Sequence, residues 1–485
     1  MSGRKLVTHS LIYTLGSLLV NGGNFLLVPV YARYLSPAEY GIWGSLAVFN
    51  TMLVAVLGFG INGIVTRYYY EFSDRDRWRL FFGTISTFVV GFGLIAALLL
   101  ALFGGPLLDH VFKSVRFDPY LRLAVLVGYL GVIPVIALAL LQAKQKVLVY
   151  RVYTTISFVF LAICTLTMVV LLGWGVLGVL YASLISGIVM GGVCVYYIWN
   201  EGLKILSMAD LKVALTFGLP VMAYTISGSA TEMASRYFVE RFTTLADLGV
   251  FNLAQQYASG LVVVVTAISM AWTPIFFETA KQPGAPDRFA KFGLRLIGLV
   301  AALALLMSLC APAFLHLVSR QYAAAEGIIP VILFSYVFGN GFWILMITPI
   351  VYAKETRRLP WLTIFSGLIC ILSSVALIPR VGVVGAAIAQ LLAYASLVVV
   401  AYRAAQRAYP IPYPLRSMAT VLIAAIVIFS LSFVVVGDGV AMQVLAKTAL
   451  FCVFLIVLWL LKVVSTEDLV SAKQQMRKLV LRSSR

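Results

Sequence analysis

The side chains best placed to do chemistry are arginines near the ends of apolar segments. Arg67 closes one segment, Arg295 lies about two turns inside another, and Arg33, Arg236 and Arg241 stand at segment ends on the opposite side. A guanidinium is a planar fork that donates two hydrogen bonds at once, so these residues suit a phosphorylated ligand held in a cationic cleft. A structural role competes, because an arginine near a helix end can run its stem along hydrocarbon and its charge out to water. Arg33 and Arg241 also have acidic neighbours, Glu39 and Asp247.

The acids inform by their scarcity. Of the 18 Asp and Glu residues, only Glu232 falls within an apolar segment, and Arg236 follows one turn later on the same face. Glu232 is therefore the candidate for coupling to protons or sodium, in competition with a local ion pair. His9, His110 and His316 are far apart, and all five cysteines fall inside apolar segments, so neither a metal site nor a disulfide framework is expected. No Gly-x-x-x-x-Gly-Lys-Ser/Thr loop occurs. No cofactor is expected, and energy must come from an ion gradient, the membrane potential or consumption of a product.

These residues are positioned by a membrane scaffold. A 485-residue chain with 62% hydrophobic and 11% charged residues cannot be soluble and globular. A hydrocarbon core of about 30 Å takes roughly 20 residues of helix. The chain supplies about fourteen such segments, predicting an all-α polytopic protein with an uncleaved first span from Leu6 to Tyr31. Pro29, Pro134 and Pro220 fall inside spans and are candidate kinks. The connections are short, the longest outer ones near Gly104–Pro119 and Pro312–Gly327, which leaves no room for a catalytic domain. An enzyme is not expected.

The net charge of +18 is explained by topology and does not call for nucleic acid. With the N-terminus inside, 27 of the 36 Lys and Arg residues fall on the inner side, which places both termini in the cytoplasm. The last stretch, residues 463–485, has Ser465 and Asp468 at capping positions and basic and apolar residues beyond, predicting an amphipathic helix on the inner leaflet.

The chain also repeats itself. Arg33–Ala47 returns as Arg241–Leu253 at an offset of 208, with Gly41 on Gly249, Glu39 on Asp247 and Trp43 on Phe251. Gly175 and Gly382 open later segments at 207, and Ala143-Lys144 matches Ala353-Lys354 at 210. A duplicated unit with an even number of spans inserts twice in one orientation, giving two six-helix lobes about a pseudo-twofold axis along the membrane normal. The lobes are residues 1–203 and 204–409, followed by two added spans in 410–462.

The stretch Tyr34-Leu35-Ser36-Pro37-Ala38-Glu39-Tyr40-Gly41, the Gly-rich close at Leu57–Gly63 before Arg67, and the openings at Gly175 and Gly382 resemble the Wzx-type polysaccharide flippases of the multidrug/oligosaccharidyl-lipid/polysaccharide (MOP) exporter superfamily. The resemblance implies a central cavity open alternately to either side of a bacterial inner membrane. It implies as cargo an undecaprenyl-diphosphate-linked oligosaccharide for surface polysaccharide, with membrane lipids, a polymerase and chain-length machinery as partners. A cation-coupled multidrug exporter on the same fold is the alternative, which carboxylates facing the cleft would favour. A membrane-embedded glycan polymerase or ligase is a further one, against which the short loops count.

Overall fold

The structure is a computed structural model that describes residue 23 and residues 27–202, 206–433, 440–461 and 463. Among these it is helical, with no strand. Hydrocarbon offers the backbone no partners, so each spanning segment must satisfy its own amides. The helices are α1 (described over residues 27–34), α2 (Pro37–Glu71), α3 (Arg75–Phe103), α4 (Phe117–Ala143), α5 (Val147–Leu171), α6 (Gly175–Glu201), α7 (Met208–Phe242), α8 (Leu245–Thr279), α9 (Ala285–Val318), α10 (Ile329–Tyr352), α11 (Thr356–Val381), α12 (Val383–Ala408), α13 (Leu415–Leu431) and α14 (Val440–Leu460). Ten of them, α2–α6 and α8–α12, are long and apolar enough to cross a membrane. The other four stand where spans were expected without reaching that measure over their described residues. Leu99, Leu102 and Phe103 on α3 are more than half exposed, which suits lipid and not water.

We call "upper" the rim where α2 and α8 begin and "lower" the rim where they end. Both helices open on the same device. Ser36 Oγ accepts from the Glu39 amide at 3.3 Å while the Glu39 carboxylate accepts from the Ser36 amide at 2.9 Å. Thr244 and Asp247 repeat this reciprocal cap at 3.1 and 3.2 Å. Each cap satisfies two helix-start amides and sets an acid at the positive end of the helix.

Other repeated positions agree. Gly175 and Gly382 both start a helix from positive φ, at 57° and 63°. At the lower rim the turn after α4 has Gln145 at φ 55° and the turn after α10 has Lys354 at φ 61°. Both turns bond alike: Lys144 to Leu140 and Lys146 to Leu141 in one, Ala353 to Pro349 and Glu355 to Ile350 in the other. The structural offset there is 209, so Lys144 pairs with Ala353 and the sequence pairing was one residue out. The apolar interior divides largely along the duplication: one core runs from Leu46 to Ala214, the other chiefly from Val239 to Val463 with Val28, Ala32, Leu35, Tyr40, Val169 and Val179 joining it.

Some segments differ from expectation. Pro312 lies inside α9, which runs on to Val318 before a 3-10 turn at Arg320–Gly327, and Gly105–Val111 forms a short helix. The outer connections are thus shorter than the sequence implied. Helix continues through Pro29, Pro134 and Pro220, while α2 is interrupted at Gly58–Gly60 and α10 by a wide turn at Val337–Phe342. Most of the first span, the Glu232 side chain and the expected tail helix lie outside the described residues.

The two halves meet where α2 crosses α8 at the upper rim. A Cβ on Gly249 would lie 1.7 Å from the Pro37 carbonyl, and one on Gly41 would lie 2.3 Å from the Leu245 carbonyl. These are repeat mates facing each other's equivalents, so the pseudo-twofold axis passes through the crossing. Added volume there must push the helices apart, at about 1–3 kcal/mol for an overpacked site. Gly249→Ala and Gly41→Ala should each lower the thermal midpoint of the purified protein in detergent, whereas Gly91→Ala, with nothing within 4 Å of the added Cβ, should not.

Candidate functional site: a cavity at the seam

Beneath the crossing lies a cavity of about 570 Å³ walled by both halves. Tyr31, Trp43, Ala47, Leu161 and Val179 make the first-half wall mostly aromatic and apolar. The second-half wall is polar, with Asn252, Gln255, Gln256, Ser259 and Thr266 along α8. Gly44 on Asn252 and Ala47 on Gln255 are repeat mates at the offset of 208, so one helix face is polar where its copy is small. Gly44 matters physically, because a Cβ there would lie 2.0 Å from the Asn252 amide nitrogen.

Among the described residues one cation lines the cavity, Arg236 of α7. Its Nε donates to Asn252 Oδ1 at 2.8 Å, and Asn252 Nδ2 donates to the Gly41 carbonyl at 3.3 Å. The chain Arg236–Asn252–Gly41 ties the cavity cation to the backbone of the crossing. Nε is engaged there, and among the described residues no bond from the two terminal amino groups of the fork is seen. Gln255 donates to Gln390 at 3.1 Å, and Gln255 Oε1 is a buried acceptor left without a partner among the described residues. No described residue lining the cavity is acidic.

The other four arginines stand elsewhere. Arg67, at the lower rim, lies 3.5 Å from Glu71 and 4.7 Å over the Phe217 ring. Arg295 is exposed on α9 and does not line the cavity. Arg33 is exposed and lines a lateral cleft between α1 and α5, and Arg241 is exposed at the upper end of α7. Their acidic neighbours Glu39 and Asp247 serve the helix caps, and no ion pair with Arg33 or Arg241 is seen among the described contacts. Sequence reasoning could not rank five arginines near helix ends. The missed signal was Val28, the repeat mate of Arg236: a cation that replaced a core valine.

α7 links the halves. Its lower end packs on the first half: the Gly218 Cβ position lies 2.3 Å from the Phe59 carbonyl, and Arg77 of α3 grips Asp210 with both arms of its fork, one at 2.6 Å. Its upper part joins the second half, where Ser235 meets Cys370 of α11 at 3.3 Å. Pro220 lies between these attachments.

This is the architecture of a polytopic helical protein with two repeats about a central cavity. Solved structures agree in fold. One is the lipid II flippase MurJ in an inward closed conformation, with TM-score 0.73 and 14% identity over 93% of this chain and 99% of that one. Another is an inward-facing multidrug resistance MATE family transporter of the MOP superfamily, with TM-score 0.64 and 17% identity over 81% and 97%. An uncharacterized membrane protein of Haemophilus influenzae is 22% identical over 57% of this chain and 67% of its own length. The chain belongs to the family described as polysaccharide biosynthesis protein, whose model matches residues 6–280. It is a multi-pass membrane protein of the MOP fold, as its resemblance to the Wzx-type flippases implied.

The Arg77–Asp210 pair predicts a pH signature. The bonded guanidinium holds the Asp210 carboxyl below the ordinary carboxylate range, outweighing burial, which acts the other way. A depressed folded value means the pair's stabilisation is present above the unfolded value, about 3.9, and is lost as pH falls through the folded one. Arg77 is 42% exposed, so solvent screening limits the pair to about 1 kcal/mol. Asp210→Asn should lower the thermal midpoint by roughly 1–3 °C at neutral pH. That gap should hold above about pH 5 and close below about pH 4.

Proposed function

We propose that the protein is a flippase that carries a lipid-linked oligosaccharide, on an undecaprenyl diphosphate carrier, across a bacterial inner membrane for surface polysaccharide synthesis. The observation that carries this reading is the composition of the cavity: one arginine fork, a wall of amides and hydroxyls, and no described carboxylate. Amides and hydroxyls both donate and accept, as sugar hydroxyls require, and the fork matches a phosphate oxygen pair. Even low estimates put a charge in hydrocarbon at about 2.5–3.5 kcal/mol, which a cationic, polar cavity offsets while the lipid tail stays in the bilayer. The cavity volume lies within the range of about 300–1,000 Å³ usual for ligand sites.

The mechanism is alternating access by rocking of the two lobes, residues 1–203 and 204–409. The lysine and arginine asymmetry sets the lower rim in the cytoplasm and the upper rim outside. On that orientation the α2–α8 crossing would close the outer side, and cargo would enter from within. Outward release would hand the units to a polymerase and its chain-length partners. A cation exporter on this fold has less support, since organic cations need carboxylates in the cleft.

In a host lacking the gene, lipid-linked repeat units should remain inaccessible to a glycan-modifying enzyme confined to the periplasm. Wild type should restore access, Arg236→Ala should restore at most about a tenth of the wild-type rate, and Arg67→Ala and Arg295→Ala should act within about twofold of wild type. Units that reach the periplasm unpolymerised in the deletion host would move polymerase or ligase ahead of the flippase.

A further inference from the structure

Glu240, one turn above Arg236 on α7, is 7% exposed. Its Oε1 accepts from the Ser114 amide at 3.1 Å, and Ser114 belongs to the first half, between α3 and α4. Burying a carboxylate is costly unless donors satisfy it, so this contact across the seam matters. Arg236 and Glu240 share the walls of a small void above the cavity, about 20 Å³, with Ser45 and Val48 of α2 and Phe112 opposite. The Ser45 hydroxyl there has no partner among the described residues. The walls that α2 and the short helix Gly105–Val111 contribute carry no ionisable group, and Lys113, beside Ser114, is exposed. No ion pair joins Arg236 to Glu240 among the described contacts, although i,i+4 positions on a helix are neighbours. Arg236 instead turns down to Asn252.

Each group of this potential pair therefore depends on the closed seam. When α2 leaves α8, Glu240 loses the Ser114 amide and Asn252 loses the Gly41 carbonyl. Arg236 and Glu240 ride on one helix and stay together. We propose that Glu240 is a positioning residue for release: as the upper rim opens, Arg236 leaves Asn252 for Glu240, and the carboxylate displaces the cargo phosphate from the guanidinium. The exchange breaks one set of charge-assisted hydrogen bonds and makes another, so the arginine is not left bare in the opened cleft. The idea of cargo release rests on the flippase reading. The gating step itself does not, and it is tested without cargo.

Val48 lines the small void and not the main cavity, so Val48→Cys reports upper opening through its rate of labelling by a membrane-impermeant thiol reagent in sealed, oriented vesicles. The parent chain with its own five cysteines gives the background. Glu240→Gln keeps an acceptor for the Ser114 amide and removes only the charge. It should slow labelling of Val48→Cys at least fivefold, while Glu240→Asp should stay within twofold. In an Arg236→Gln background, Glu240→Gln should have no further effect, because the two residues act as one unit. Labelling of the Gln variant at the parent rate, an equal slowing in the Arg236→Gln background, or no labelling of Val48→Cys at all would each overturn the proposal. A wild type that gates as described but moves no lipid-linked glycan would refute the cargo reading and leave this step standing.

Discussion

The fold hangs on one close approach, backbone against backbone, where Gly41 of α2 meets Gly249 of α8. Helix axes come this near only where both helices lack a Cβ, and each glycine here faces the carbonyl at the other's first helical position. The reciprocal caps at Ser36/Glu39 and Thr244/Asp247 fix where the two helices begin, and so place both glycines at the same depth. Few side chains lock the seam besides. Tyr322 donates to the Leu35 carbonyl at 3.0 Å and Asn252 to that of Gly41. A contact made of dispersion and a few hydrogen bonds holds shut without becoming permanent, since no interlocked side chains must be withdrawn to part it.

Duplication supplied the scaffold, and divergence between the copies made the site. A strictly symmetric pair would place identical walls on both sides of the axis. Here the axis separates Gly44 from Asn252, Ala47 from Gln255 and Val28 from Arg236. The first copy kept small and apolar residues that admit the second copy's polar ones. Gly44 shows the dependence directly, since any side chain there would evict the amide that holds the arginine. The charged and the uncharged polar groups of the cavity thus stand together on α7 and α8, and the wall opposite offers aromatic and apolar faces.

The architecture was legible because hydropathy and repetition are both carried by residue type alone. The offset of 208 paired Gly41 with Gly249, and the caps on either side, unrecognised in the sequence, have the Ser-x-x-Glu and Thr-x-x-Asp spacing of a capping box. The lower turns were harder: Ala143-Lys144 and Ala353-Lys354 look alike as letters, but φ and hydrogen bonding align Lys144 with Ala353. The site was less legible than the fold. Which of several arginines enters the cavity depends on helix rotation, and in a segment apolar all round no polar face betrays the rotation. Comparing the copies would have helped more than reading either one. Glu240 escaped because it falls past the end of its apolar segment, where an acid looks solvent-exposed; its burial comes from distant residues such as Val48 and Phe112, with the Ser114 amide as donor.

The path of α7 explains why the lower rim is built differently from the upper. At the bottom α7 belongs to the first half, through the Arg77–Asp210 fork and the close contact of Gly218 with Phe59. At the top it belongs to the second, through Ser235 and Cys370. A helix anchored to both halves must bend or slide when they rock. Between its anchors lies Pro220, whose missing amide removes one rung of the ladder and lowers the cost of bending. Arg236 sits above that point, on the stretch that travels with α8 and not with α2. In the proposed rocking motion Arg236 would stay with α8, able to exchange Asn252 for Glu240 on its own helix, while the glycine crossing would be the contact that gives way.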